Sequence, residues 1–266
     1  CYLPAMLLLY SDAHPRDLPS SPTRRSSDLA ILSRDTADQP AAAETDDSLD
    51  AFIARRAADL TAYQNAAYAK RYTDLIGRIG DTESEKTPGR TDLTEVVAKA
   101  LYKLMAYKDE YEVARLYTDG RFEAKLRDQF DAGAKLRFHL APPLLAERDP
   151  GTGRLRKTEY GPWVFTAFRL LAGLKGLRGT AFDIFGRSEE RRAERRLIAE
   201  YITTLETLMT GLSDANHEIA TDIARLPMSI RGFGHVKEAN MAPAVRRHES
   251  LMETFKNGGA EKTAAE

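Results

Sequence analysis

The stretch TDLTEVVAKALYKLMAYKDEYEVARLYTDGRFEAKLRDQFDAGAKLRFHLAPPLL, residues 91–145, decides the fold of this chain. Counted at 100° per residue as one helix capped by Thr91, it places on one narrow arc a row of side chains that starts apolar and ends charged. The row is Val97, Leu101, Leu104, Lys108, Tyr111 and Arg115. Glu112 is spaced to pair with Lys108 or Arg115, so this charged half is expected to enter the core or an interface.

The same stretch changes its periodicity after Gly120. Residues 121–130 predict a shorter helix, and residues 135–140 alternate apolar and polar side chains at strand spacing. The sequence DPGTG at 149–153 is a turn signal, so we expect a β-hairpin here. Helical patterns also cover residues 48–77, the apolar stretch after residue 163, the run from 188 to 212, residues 213–226 and the segment up to about 256. The predicted fold is therefore mainly α, a helical domain with a small β-hairpin element.

Composition limits the classes of function. The chain has 266 residues, of which 42% are hydrophobic, so it can bury a sizeable core. Its net charge of -1 shows no bias toward nucleic acid or an acidic membrane, and no apolar run approaches the roughly 20 residues that span a bilayer. Cys1 is the single cysteine, so the chain cannot form an internal disulfide or supply the thiolates of an iron-sulfur cluster.

The N-terminal 47 residues differ from the rest of the chain. The apolar run near residue 6 lacks a preceding basic residue, so we do not expect a secretory signal. The segment SPTRRSSDL, residues 21–29, resembles the translated read-through of a sequencing adapter, and the alternative is a disordered polar leader. Residues 33–47 are polar and alanine-rich, as linkers are. The expected organisation is an artefactual or disordered leader and linker over 1–47, a helical domain over 48–257 and a disordered tail over 258–266.

Lys108, Glu112 and Arg115 are the first candidate interface or anion-contact residues. Acids and bases are concentrated around them at residues 108–115, which is enough charge to suggest a site. A structural ion network between helices explains the same residues without a ligand, and it is the preferred interpretation.

A second candidate group lies in RGFGHVK, residues 231–237. Two glycines there would let backbone amides approach an anion beside Arg231, His235 and Lys237. The motif matches neither the Walker loop nor the dinucleotide fingerprint. A tight connection between two helices is the preferred alternative.

A basic cluster and three histidines complete the candidates. The cluster Arg191, Arg192, Arg195 and Arg196 is interleaved with three glutamates, so a solvated face is preferred over a phosphate or acidic-partner site. His139, His217 and His248 have no metal-ligand spacing and are expected to be structural or surface residues. The chain has no GxSxG, HExxH or CxxC motif, and we assign no catalytic residue and no metal ligand.

Five long segments carry a resemblance to a known family. They are LMAYKDEYEVARLYTDG at 104–120, IRGFGHVKEAN at 230–240, LDAFIARRAADLTAYQNAAYAKRY at 49–72, KLRFHLAPPLLAERDPGTGRLRK at 135–157 and YGPWVFTAFRLLAGLKGLRGTAFDIFG at 160–186. In continuous order over about residues 49–256, they resemble the C-terminal part of the fused indolepyruvate ferredoxin oxidoreductases.

The resemblance implies a parent enzyme that oxidatively decarboxylates arylpyruvates to acyl-CoA and passes electrons to ferredoxin. It also implies thiamine diphosphate, Mg²⁺ and iron-sulfur clusters in the parent, none of them bound by this region, and a cytoplasmic location. The expected partners are the upstream catalytic domains of the same chain, with ferredoxin and CoA as partners of the parent, and neither nucleic acid nor membrane. On this basis the region is an accessory domain, inactive alone. The alternative is a standalone helical protein-interaction module without catalytic activity.

Overall fold

The computed structural model describes residues 6–10, 29–33, 48–129, 135–140, 158–230 and 235–257. These residues are mainly helical, which confirms the predicted fold class. The α-helices are α1 (Leu49–Tyr63), α2 (Ala66–Lys86), α3 (Asp92–Met105), α4 (Glu110–Thr118), α5 (Arg121–Gln129), α6 (Val164–Gly173), α7 (Glu189–Gly211), α8 (His217–Arg225) and α9 (His235–Lys256). Two 3₁₀ turns, Leu174–Leu177 and Leu226–Ser229, follow α6 and α8.

A small antiparallel sheet accompanies the helices. Its strands are β1 (Met6–Tyr10), β2 (Leu29–Ser33), β3 (Lys135–Leu140) and β4 (Thr158–Tyr160), in the order β2-β1-β3-β4. The pairing of β3 with β4, with Phe138 opposite Tyr160, is the expected hairpin, and its connection at 141–157 lies outside the described residues. Strands β1 and β2 fall within residues 1–47, for which the sequence predicted no packed structure. Their backbone groups find partners in each other and in β3.

The chain divides into two compact units, each with its own elements. The sheet unit comprises Cys1–Thr45 and Lys108–Lys175, and the helical unit comprises Asp46–Tyr107 and Gly176–Glu266. The sheet unit is therefore made of two separate stretches of chain. The boundary at residues 107–108 falls inside the stretch that the sequence treated as one helix.

That stretch is two helices rather than one, and this part of the prediction was wrong. Helix α3 ends at Met105 and α4 starts at Glu110. Asp109 begins the new helix because its side chain accepts a hydrogen bond from the backbone N–H of Glu112 at 2.8 Å. The apolar half of the predicted arc therefore belongs to the helical unit and the charged half to the sheet unit.

Helix α3 lies at the centre of the helical unit. It packs against α1, α2, α7 and α8, which cover it on several sides. Its buried residues are Leu93, Thr94, Val97, Ala98, Ala100, Leu101, Leu104 and Met105. A helix buried over so much of its surface gains most of its stability from packing rather than from helix propensity.

The sheet unit has a separate core made of aromatic side chains. Tyr117 of α4 packs edge-on against Phe122 of α5 with ring centroids 4.8 Å apart, and Phe138 of β3 packs edge-on against Phe165 of α6 at 5.0 Å. Phe168 of α6 lies against both Tyr117 and Phe138. Such edge-to-face pairs add about 0.5–1.5 kcal/mol each to their area burial. The hairpin is thereby fixed to α4 and α6.

Candidate functional site

The structure brings Glu112 and Arg115 together within α4. Arg115 donates through Nε and Nη2 to the two carboxylate oxygens of Glu112, at 2.8 and 2.7 Å. Glu112 is buried, Arg115 and Lys108 are half-buried, and Lys108 also has a partner. A bidentate pair of this kind satisfies both charges internally. This arrangement is the one expected for a structural ion network.

The second candidate group lies largely beyond what the structure describes. Arg231 lies outside the described residues. His235 is the first residue of α9 and Lys237 follows it in the same helix, but the surroundings of both side chains also lie outside the described residues. Their proposed contact with an anion stays a prediction.

A buried ion network in the helical unit was not predicted. Glu83 of α2 accepts hydrogen bonds from the backbone N–H groups of Leu93 and Thr94, both at 2.9 Å, and from the Thr94 hydroxyl at 2.5 Å. His217 at the start of α8 donates from Nε2 to Glu83 at 2.6 Å. Because a guanidinium can only donate, the contact between Arg90 Nη1 and His217 Nδ1 at 3.1 Å places the imidazole hydrogen on Nε2.

This network holds helices together rather than forming a reaction centre. Burial alone would raise the pKa of Glu83, but hydrogen bonds from Thr94, His217 and Leu93 outweigh it and lower the pKa below the ordinary value of 4.5. Glu83 and His217 are each 1% exposed, so no substrate reaches them. The carboxylate replaces Thr91 as the cap of α3, since Thr91 makes no side-chain capping bond.

A cavity of about 130 Å³ lies in the helical unit beside the start of α7. Its lining residues are Gly179, Thr180, Asp183, Gly186, Arg187, Arg192 and Arg195. They come from the loop that precedes α7 and from the first two turns of that helix. Ser188, near which the sequence predicted this helix to begin, is the N-cap of α7, and its hydroxyl accepts from the backbone N–H of Arg191.

The loop keeps its shape through Asp183. The Asp183 carboxylate accepts from the backbone N–H of Gly179 and of Gly186, both at 2.8 Å. Gly179 has a φ of 77°, which favours glycine. A β-carbon at Gly186 would lie 2.1 Å from Asp183 Oδ2, so only glycine permits this close approach. The Asp183 side chain therefore links the backbone of Gly179 to that of Gly186.

The arginine cluster predicted from the sequence separates into different environments. Arg192 and Arg195, three residues apart, line the cavity together with Arg187, which the sequence reading had not included. Arg191 is buried and lies 5.9 Å from the Tyr107 ring, and Arg196 faces Glu200 at 3.7 Å. The helical spacing of Arg192 and Arg195 was the available signal. The solvated-face interpretation therefore fits the exposed Arg192 and Arg196, whereas Arg195 is half-buried and Arg191 is buried.

The sheet unit exposes an apolar face on α6. Trp163, Leu170 and Leu174 lie on one side of this helix and its caps, and Trp163 and Leu170 are 61% and 70% exposed. Val164 is the residue of α6 that is fully buried. Large apolar side chains grouped in this way are typical of surfaces that contact another protein or domain.

Together these features define a mainly helical protein of two units, with an arginine-lined cavity in one and an exposed apolar helix face in the other. Residues 49–250 match the model of a family of unknown function, DUF6537, and the chain belongs to that family. A search of curated proteins and a search of solved structures each found no match. The family extends over nearly the same residues as the resemblance found in the sequence, which covers about 49–256.

Two further findings concern the described residues alone. None of their helices is long and apolar enough to cross a membrane. Within the same residues, no group of three or more histidine, cysteine, aspartate or glutamate side chains is arranged to hold a metal ion.

Proposed function

We propose that this region is the accessory C-terminal domain of a cytoplasmic, thiamine-diphosphate-dependent 2-oxo acid ferredoxin oxidoreductase. The parent enzyme would oxidatively decarboxylate arylpyruvates such as indolepyruvate to acyl-CoA, with ferredoxin as electron acceptor. In this proposal the domain packs on the upstream catalytic domains and performs no chemistry itself.

The observation that carries the proposal is the sequence resemblance. It rests on five long segments in unbroken order, and its span agrees at both ends, within a few residues, with the 49–250 matched by the family. Because the family has no assigned function, the activity itself is inferred from the resemblance.

The iron-sulfur clusters of the parent do not fit the cysteine content of this chain. An iron-sulfur cluster is usually held by four thiolates, and Cys1 is the single cysteine of the chain. We therefore place the clusters on the upstream domains. Thiamine diphosphate and Mg²⁺ are placed there because the resemblance implies that they belong to the catalytic domains of the parent, and we derive no step of the reaction from this region.

The exposed face of α6 supports a packing role. Trp163, Leu170 and Leu174 expose apolar area that an adjoining catalytic domain would cover, at a gain of about 25 cal/mol for each Å² buried. Because Glu112 and Arg115 pair with each other, we place the proposed interface on α6 rather than on α4. The same face would also suit a standalone interaction module, so the two functions differ in what lies upstream.

The test starts with resequencing of the source DNA across the codons for residues 1–50. An uninterrupted frame that leads upstream into thiamine-binding and cysteine-cluster motifs supports the proposal. A start codon just before Ser48 overturns it in favour of the interaction module.

The full-length enzyme then allows a direct measurement. We expect Leu170→Lys to lower the rate of indolepyruvate- and CoA-dependent ferredoxin reduction at least about fivefold, because a lysine must leave a packed interface. Asp128→Lys, on the exposed surface of α5, is the matched control and should keep its activity. Equal activity of both variants would show that α6 is not part of the interface.

A further inference from the structure

We propose that the cavity lined by Arg187, Arg192 and Arg195 binds a phosphate group. This site lies within the helical unit, and it stands whether or not the oxidoreductase role is correct. The sequence alone favoured a solvated basic face here, so the proposal depends on how the structure distributes the arginines.

Arg192 and Arg195 both have donors available for a ligand. Arg192 is exposed and has no hydrogen-bond or ion-pair partner among the described residues. Arg195 donates from Nη2 to the carbonyl of Gly186 at 2.5 Å, which fixes its guanidinium at the cavity wall. Its Nη1 is buried and has no acceptor in the described part of the chain. A buried donor without a partner is destabilising, and an anion in the cavity would supply the missing acceptor.

The electrostatic balance of the cavity favours a doubly charged anion. Among the described residues that line it, Asp183 is the acid that opposes the three arginines. Both of its carboxylate oxygens already accept backbone N–H groups, so it is committed to the loop. Arg187 donates from Nη2 to the Ala181 carbonyl and keeps its other donors. The positive N-terminal end of α7 adds to the field and is partly offset by Glu189 and Glu190 in the first turn of that helix.

The size of the cavity indicates one functional group rather than a whole cofactor. Its 130 Å³ is well below the roughly 300–1,000 Å³ of pockets that enclose drug-sized ligands. Guanidinium groups match phosphate and carboxylate oxygens, and donors from three separate arginines suit a tetrahedral dianion better than a planar monoanion. The ligand is therefore inorganic phosphate or the phosphate end of a larger molecule.

Isothermal titration calorimetry on the full chain tests this site, with ionic strength held constant by chloride so that screening does not change. We expect saturable binding of inorganic phosphate, and binding about tenfold weaker in Arg192→Gln, because one charge-assisted hydrogen-bonding group is lost. Arg196→Gln, on the same helix but outside the cavity, is the matched charge control and should change the affinity less than twofold.

Several results would overturn the proposal. These are the absence of saturable phosphate binding in the wild type, an unchanged affinity in Arg192→Gln, or an equal loss in Arg196→Gln. Acetate binding as strongly as phosphate would also overturn it, since the site would then be a general anion patch. Arg195→Gln is expected to weaken binding as well, and Arg192→Gln decides the matter if the former fails to fold.

A second titration identifies the source of the phosphate. Adenosine diphosphate binding at least tenfold more tightly than inorganic phosphate would assign a nucleotide, whereas weaker binding would assign the free ion. Either result upholds the phosphate site, provided that Arg192→Gln lowers the affinity for the ligand concerned.

Discussion

Replacing Glu83 with glutamine tests how the helical unit is held together. The Glu83 carboxylate accepts four hydrogen bonds, from the N–H groups of Leu93 and Thr94, from the Thr94 hydroxyl and from His217 Nε2. Glutamine keeps one acceptor oxygen and replaces the other with a donating amide. Each carboxylate oxygen accepts two of these bonds, so two buried donors would lie against the donating amide of glutamine. The negative charge that attracts all four donors would also be lost.

The magnitude follows from the number of groups left without an acceptor. A hydrogen bond to a charged group contributes about 1.5–3 kcal/mol, and removing one partner of a buried ionic network costs about 3–5 kcal/mol. We therefore expect Glu83→Gln to lower the free energy of unfolding by about 3–5 kcal/mol. At about 2–4 °C per kcal/mol, the melting temperature should fall by roughly 6–20 °C.

Urea denaturation followed by circular dichroism measures this effect, with Glu85→Gln as the control because Glu85 is exposed on the same helix. The control should stay within about 0.5 kcal/mol of the wild type. A difference below about 1 kcal/mol between Glu83→Gln and the wild type would refute the capping role.

The pH dependence gives an independent check of the same network. Because the pKa of Glu83 is lowered in the folded state, the unfolded state binds more protons in acid. The stabilisation by Glu83 is therefore fully present above pH 4.5, its ordinary value, and is lost as the pH falls through the folded-state pKa. The stability difference between wild type and Glu83→Gln should shrink below pH 4.5, and a constant difference would contradict the assignment.

Two other substitutions test side-chain contacts within the helical unit. Lys103→Met should lower the free energy of unfolding by about 2 kcal/mol, because Lys103 Nζ donates to three carbonyls at residues 227, 228 and 230 at 2.8–3.1 Å. Lys99→Met, on the exposed side of α3, is the control and should lower it by less than about 0.5 kcal/mol in the same urea denaturation. Gly186→Ala should cost about 1–3 kcal/mol, since its methyl group displaces the Asp183 carboxylate, while Gly176→Ala meets no atom within 4 Å and serves as the control in thermal melts. Equal stability of the two members of either pair would show that the contact contributes nothing.

Part of the candidate site was predictable because its partners are close in sequence. Glu112 and Arg115 are three residues apart in one helix, so their pairing follows from helical geometry. Arg192 and Arg195 share a face for the same reason. The spacing did not show that the loop at 179–187 folds back beside α7 and adds Arg187 to these two.

The main error in the fold prediction also has a local cause. The apolar and charged residues of 97–115 keep a helical period through residues 106–109, where the helix is interrupted. Periodicity alone therefore describes one helix. The break depends on Asp109, whose capping hydrogen bond competes with continuation of α3. Strands β1 and β2 were missed because a short apolar run does not reveal whether a partner strand lies beside it.

The sequence by itself determined the mainly helical class, the apolar stripe of α3, the hairpin β3–β4 and the start of α7 near Ser188, because helix and strand periods act over a few residues. Only the tertiary structure decided which polar groups become buried partners. Glu83 meets His217 across 134 residues and Lys103 meets the Pro227 carbonyl across 124. A buried charge needs hydrogen-bond donors, and packing can bring these from any part of the chain. Such pairs therefore have no regular spacing that the sequence could show.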